Sequence, residues 1–118
     1  MTVQVDREVM VGDRVSLGVE VRNMSGQPLD DIVLAVSTPF GMSIGEAISG
    51  EPKRRERIEV VSIAPQESVF IERSVYPRSE LILGLIQIEL TSSGGCRRIS
   101  VPIVVRGDTE IKERQLRL

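Results

Sequence analysis

The sequence predicts an all-β protein, and three observations lead to that class. The chain has 118 residues, 41% of them hydrophobic and 27% charged, a size and balance typical of one folded domain. Its apolar residues are mainly Val, Ile and Leu, with 3% aromatic residues and no Trp, and β-branched side chains favour strands. Short alternating stretches recur roughly every ten residues, separated by turn-forming residues. Pleated sheet is therefore expected throughout.

Three strands are predicted in the first third of the chain. The first is expected from Thr2 to Met10, followed by a turn at Gly12 and Asp13. From Arg14 to Asn23, four aliphatic residues alternate with polar residues or glycine, which is the period of a half-buried strand. After a turn, Leu29 to Ser37 carries apolar residues on both faces, as expected of a central strand.

Four more strands are predicted in the remainder. Thr38 to Gly41 ends the third strand, and the polar segment Gly45 to Arg57 is expected to be the longest loop. Strands are then expected at Ile58 to Ile63 and at Val69 to Val75.

The last two strands are expected to form a hairpin. Ile86 to Leu90 and Ile99 to Val105 both alternate, and the serine and glycine residues between them are turn formers. Pro102 indicates an edge strand or a bulge. Together these segments predict an immunoglobulin-like antiparallel β-sandwich of about seven strands over residues 1–106, with an aliphatic core. Residues 107–118 are expected to be a charged tail, helical or disordered.

Several motifs mark the ends of these strands. They are Val11-Gly12-Asp13, Val19 to Asn23 with Ser25-Gly26, Asp31 to Val36, Ser37-Thr38-Pro39 with Gly41, and Ile63 to Ser68. In this order they resemble the CARDB and NEW3 type of immunoglobulin-like module found in bacterial and archaeal surface proteins. The resemblance implies a module that often occurs in tandem within larger proteins, binds or spaces partners, and has no shared catalytic residues. It favours an extracytoplasmic surface.

Catalysis and metal binding have little support in the sequence. The chain has no His and one Cys, so a His-based triad, an intrachain disulfide and a cysteine metal cluster are all excluded. Asp30 and Asp31 form the obvious carboxylate pair, but adjacent strand residues point to opposite faces. We therefore expect no enzyme activity, no catalytic residue, no metal site and no cofactor. Cys96, at the start of the last strand, is expected to be a small packing residue.

Two further classes of partner are disfavoured. A net charge of -2 gives no general attraction for nucleic acid. The longest apolar run, Leu81 to Ile86, is far too short to span a membrane. The first ten residues show no export signal, and a lone thiol is compatible with the cytoplasm, so that compartment also stays open. Asn23-Met24-Ser25 is a formal glycosylation sequon that we interpret as a turn asparagine.

The candidates for a partner contact are four basic residues of one short segment: Lys53, Arg54, Arg55 and Arg57. Their many hydrogen-bond donors could grip a phosphate, an acidic peptide or a membrane surface. The alternative is an ordinary solvated loop, because acidic residues lie close by in the sequence and partly neutralise it.

Two functions remain open at this stage. The first is a non-catalytic protein-interaction or spacer module, part of a larger or cell-surface assembly, that contacts a protein partner through loops or edge strands. Open edge strands would also allow a homo-oligomer. The alternative is an intracellular sandwich, similar to adaptor appendage domains, that binds short peptides. A carbohydrate-binding domain ranks last because the chain has only three aromatic residues to serve as sugar platforms.

Overall fold

The computed structural model describes residues 1–45 and 53–107, without the side chain of Val61. These residues form nine strands and no helix. The strands are β1 (Thr2–Gln4), β2 (Glu8–Met10), β3 (Val15–Arg22), β4 (Leu29–Ser37), β5 (Met42–Ile44), β6 (Arg55–Ile63), β7 (Ser68–Pro77), β8 (Leu81–Ser92) and β9 (Gly95–Arg106). The predicted tail lies almost wholly outside the described residues.

The strands form two sheets that pack face to face. One sheet has four strands in the order β1-β3-β7-β5, and the other has five in the order β2-β9-β8-β4-β6. This confirms the predicted all-β sandwich. The antiparallel prediction holds for every described strand pair except β2 with β9, which is parallel.

Two short strands raise the count from about seven to nine. The single strand predicted from Thr2 to Met10 is divided: β1 pairs with β3 in one sheet and β2 pairs with β9 in the other. The chain crosses between the sheets at residues 5–7, and a local alternation pattern cannot report which sheet a residue joins. The other addition is β5, whose three residues pair with the end of β7 and are too short for a periodic signal.

The basic segment is also placed differently from the prediction. β6 begins at Arg55, three residues before the expected Ile58, so Arg55 and Arg57 belong to a strand and not to a loop. They pair with Ser37 and Ala35 of β4. Long polar side chains obscure a strand in a sequence because they can occupy its solvent face without disturbing the backbone ladder.

The core lies between the sheets and is aliphatic, as predicted. Apart from Pro77, every buried apolar side chain among the described residues is Val, Ile, Leu or Met, and none is aromatic. Inward-facing residues of β4, such as Leu34 and Val36, meet those of β3, such as Leu17 and Val19, from the other sheet. Burial of these alternate residues leaves the other half of each strand on the outer face of its sheet.

The predicted hairpin of the last two strands is confirmed. β8 and β9 pair along most of their length across a two-residue turn. β2 pairs only with the last three residues of β9, so the earlier part of β9, which contains Pro102, has no second strand partner among the described residues. This agrees with the edge position predicted from a proline that cannot donate to a ladder. β6 is likewise paired only with β4 within residues 1–45 and 53–107.

Candidate functional site

The four basic candidates do not form one patch. Lys53 Nζ lies 3.6 Å from Glu56 Oε2, and Arg73 Nε of β7 donates to Glu56 Oε1 at 2.8 Å. The pair between Arg73 and the largely buried Glu56 joins β7 of one sheet to β6 of the other. Lys53 pairs with the same carboxylate from three residues earlier in the chain, so its charge is partly neutralised although its side chain is more than half exposed.

Arg54 has a different neighbour. Its guanidinium lies 5.4 Å from the centre of the Phe40 ring, a cation–π distance. Phe40 itself is 80% exposed, in the turn after β4. The backbone carbonyl of Arg54 accepts a hydrogen bond from the Thr38 amide at 2.9 Å, which holds the two segments side by side.

Arg55 and Arg57 lie on the outer face of the five-stranded sheet. The strand register places residues from four strands in two rows across this face. One row is Arg57, Ala35, Glu89 and Arg98, and the other is Arg55, Ser37, Gln87 and Ser100. We call these eight residues the arginine trough. The depression that they line has a volume of about 640 Å³.

The trough exists because its middle residues are small. Ala35 and Ser37 form a floor on β4, and longer side chains stand on the neighbouring strands on either side. Strands in a sheet lie about 4.8 Å apart, so β6 and β8 on the two sides of this floor are separated by roughly 10 Å. That width admits one extended polypeptide.

The arginines of the trough differ in whether they have a side-chain partner. Arg98 Nε donates to Glu89 Oε2 at 2.7 Å, an exposed pair that stabilises the fold only slightly. Arg55 and Arg57 make no side-chain hydrogen bond or ion pair with any residue in the described part of the chain. Their guanidinium donors are thus directed to solvent, where a ligand could meet them.

One end of the trough carries apolar side chains beside polar ones. Pro39, Phe40 and Leu85, together with Thr38 and Arg54, line a second depression that shares Ser37, Arg55 and Gln87 with the trough. Leu85 is 44% exposed, and Leu83 and Ile82 beside it are more exposed still. Exposed apolar side chains therefore join the charged ones at this end of the outer face, which we call the apolar end.

Two other residues singled out in the sequence have clear structural positions. Cys96 is exposed and lies opposite Thr91 on the outer face, so its assignment as a packing residue is wrong.

Asn23, in contrast, is 1% exposed. Its Nδ2 donates to the carbonyls of Gln27 at 2.7 Å and Ile63 at 3.0 Å, and its Oδ1 accepts from the amide and hydroxyl of Ser25. This is the turn asparagine that we predicted.

Residues 1–45 and 53–107 offer no constellation for metal chemistry: no three of their Cys, Asp or Glu side chains gather in a way that could hold an ion. No helix long and apolar enough to cross a membrane occurs in the part of the chain that the structure describes. The predictions of no metal and no catalysis stay predictions.

Sequence reasoning found two residues of the trough and missed the others. Arg55 and Arg57 were candidates, whereas Ala35, Arg98 and the apolar end were not. The available signal was the period of two: once Ile58 and Val60 are taken as inward, Arg55 and Arg57 must face outward. No local pattern indicates that Arg98 lies beside them, because Arg98 belongs to β9 and is 41 residues after Arg57 in the sequence.

Comparisons with known proteins bear on the fold. No family model matches the chain, and no curated protein matches it. Among solved structures, red sea bream transglutaminase superposes with a TM-score of 0.67 at 18% identity, over 91% of this chain and 15% of the enzyme. A cohesin module from a Clostridium perfringens family 33 glycoside hydrolase gives 0.58 at 13% identity, over 91% and 96% of the two chains. The sporulation control protein Spo0M of Bacillus subtilis gives 0.52 at 15% identity, over 91% of this chain and 49% of that one.

These likenesses define the class of the domain. At such low identities they establish the fold alone, and the chain spans only a small part of the transglutaminase and about half of Spo0M. The chain has an immunoglobulin-like β-sandwich fold.

Proposed function

We propose that this chain is a non-catalytic protein-interaction module that contacts its partner with the arginine trough. One observation carries the proposal: Arg55 and Arg57 stand side by side above an uncovered floor, and neither is engaged by a described residue. Arginine is well suited to interfaces because its planar guanidinium binds carboxylates with two hydrogen bonds and is weakly hydrated. A solvated loop, the other interpretation of this segment, would not place these side chains on a sheet face.

The resemblance to CARDB and NEW3 modules supports the same proposal. It adds two elements that we also propose: the module works as part of a larger protein, and that protein acts outside the cytoplasm. A passive spacer is the competing role. The two differ in one measurable respect, since a spacer has no need of Arg55 and Arg57.

A partner search with matched variants tests the proposal. The native 118-residue chain is compared with Arg55→Ser/Arg57→Ser and with a control, Arg7→Ser/Arg22→Ser, that removes the same charge. Arg7 and Arg22 are exposed, and their side chains make no hydrogen bond or ion pair with described residues. Captured proteins are identified by mass spectrometry, purified, and titrated against all three chains.

We expect the purified partner to bind the native chain and the control equally. Binding to Arg55→Ser/Arg57→Ser should be at least roughly tenfold weaker, because two charge-assisted contacts are removed. A partner that binds all three chains alike would remove the trough from the interface. Repeated failure to obtain any partner would favour the spacer.

A further inference from the structure

We infer that the arginine trough binds an extended acidic segment of a partner protein. In that segment two acidic residues alternate with a neutral one, and an apolar residue follows at the same spacing. The inference rests on the proposed function and specifies the chemistry of its partner.

The spacing of Arg55 and Arg57 matches the spacing of alternate side chains in an extended peptide. Arg55 and Arg57 are two positions apart on β6 and face the same way, which places them roughly 6.7 Å apart along the strand. Same-face residues of any extended peptide have that same separation. A peptide aligned with β6 therefore presents side chains at positions i and i+2 to the two guanidinium groups.

The shape of the trough selects an extended chain. Its floor of Ala35 and Ser37 is narrow and has no large side chain above it. The volume of about 640 Å³ suits a few peptide residues and not a folded surface. On the far wall, Gln87 and Ser100 are exposed and can hydrogen-bond the peptide's polar groups.

The apolar end of the trough favours an apolar side chain in the bound peptide. One step further along β4, Ser37 is followed by the depression that Phe40 and Leu85 line. A side chain two positions beyond the second acidic residue would lie there. An apolar side chain at that position could contact the exposed Leu85 and the Phe40 ring, which has the Arg54 guanidinium 5.4 Å from its centre, and would be partly desolvated there.

The same face argues against a nucleic acid or another uniform polyanion. Glu59 lies on the outer face of β6 one row beyond Arg57, and Glu89 stands on the opposite wall. Phosphates arranged along the whole trough would meet these carboxylates and the apolar end as well. A peptide can match each row with a different residue. Read along the peptide in one of its two possible directions, the residues are apolar, neutral, acidic, neutral and acidic.

Titration by nuclear magnetic resonance tests this pattern. The probes are the heptapeptide Gly-Leu-Thr-Glu-Thr-Glu-Gly and its reversed order, since an extended chain can lie in either direction. Matched controls replace both Glu residues by Gln. At least one acidic peptide should shift the backbone amide signals of Ala35, Ser37 and Gln87, while Gly18 on the opposite sheet stays unchanged.

The protein variants locate the charges. Arg55→Ala/Arg57→Ala should bind the acidic peptide at least roughly tenfold more weakly, and the control Arg7→Ala/Arg22→Ala should bind it normally. Retained dispersion of the amide signals shows that each variant is folded. Equal binding of the Gln peptides, undiminished binding by Arg55→Ala/Arg57→Ala, or shifts confined to another surface would each overturn the inference.

The two proposals can fail separately. If a purified partner depends on Arg55 and Arg57 but neither acidic peptide shifts the trough signals, the extended acidic segment is wrong and the interaction module stands. If the partner is indifferent to Arg55 and Arg57, the proposed function itself fails.

Discussion

The outer faces of the two sheets use small residues in opposite ways. On the four-stranded sheet, Gly18 of β3 is covered by the ring of Phe70, and a Cβ at Gly18 would lie 2.8 Å from that ring. On the five-stranded sheet, Ala35 of β4 has no such cover and forms the floor of the trough. A small residue in the middle of a strand is thus part of the packing in one place and an opening in the other. Only the neighbouring side chain decides which.

The two faces also differ in how their charged residues are arranged. Beside Phe70, the four-stranded sheet presents Glu20 and Glu72, with Arg22 at the end of β3. On the five-stranded sheet Arg98 pairs with Glu89, and Arg55 and Arg57 are left without a side-chain partner among the described residues. Composition and a net charge of -2 could exclude a uniformly basic protein but could not reveal two adjacent unpaired arginines.

The largest expected effect comes from closing the trough. Ala35→Glu places a carboxylate between Arg57 and Glu89, where it would pair with Arg57 and repel an acidic ligand. We expect binding of the acidic heptapeptide to fall roughly 100-fold, with the free energy of unfolding changed by less than about 1 kcal/mol. Ser16→Glu, on the exposed face of β3, is the matched control and should leave peptide binding unaffected. Unchanged affinity of Ala35→Glu would contradict the role of the floor.

A smaller effect is expected when the covered glycine is filled. Gly18→Val should lower the free energy of unfolding by about 1 to 2 kcal/mol, because Phe70 must leave its position. Phe70→Ala should cost about 1 kcal/mol, since the ring is only partly buried. In the Phe70→Ala background, Gly18→Val should change stability by less than about 0.5 kcal/mol.

Urea denaturation of the four chains measures this coupling. Additive effects would show that Phe70 does not act as a cover for Gly18. Ala35→Val serves as the comparison from the other face, and its effect should stay within about 0.5 kcal/mol because its site is open.

The smallest effect concerns the ion pair on the trough wall. Glu89→Gln releases Arg98 from its carboxylate partner and should strengthen binding of the acidic heptapeptide about threefold, with stability altered by less than about 0.5 kcal/mol. The gain should shrink as salt concentration rises, because exposed charges are screened. A loss of affinity in Glu89→Gln would mean that Glu89 itself contacts the peptide.

The sequence predicted the sheets better than their edges. Long alternating stretches such as β3 and β9 were found because alternation reports one buried face directly. The division of the first strand was missed, since β1 and β2 have the same local pattern and differ only in which sheet receives them. Sheet membership is a property of the packed chain.

The site was predictable to a similar extent. Arg55 and Arg57 were found by their charge, but the choice between a loop and a strand was wrong because β6 begins with three consecutive charged residues, and the inward-facing Glu56 hides the alternation of a strand. Arg98 and Ala35 could not be grouped with them from sequence, as the rows across a sheet join residues far apart in the chain. Charge could be read locally, whereas the trough depends on strand register.

The buried position of Asn23 makes glycosylation of its side chain incompatible with the hydrogen bonds that this side chain makes in the folded turn. A glycan-attaching enzyme needs an asparagine Nδ2 that reaches solvent, and in the folded chain both hydrogens of this group are donated to Gln27 and Ile63. A sugar on Nδ2 would leave one of those carbonyls without its donor and would occupy space that the turn between β3 and β4 fills. Such a sugar could be attached only before this turn closes, and the buried carbonyl left without a donor would then destabilise the folded turn by about 1 to 3 kcal/mol. Modification at Asn23 is thus restricted to the chain before folding and weakens the fold that follows.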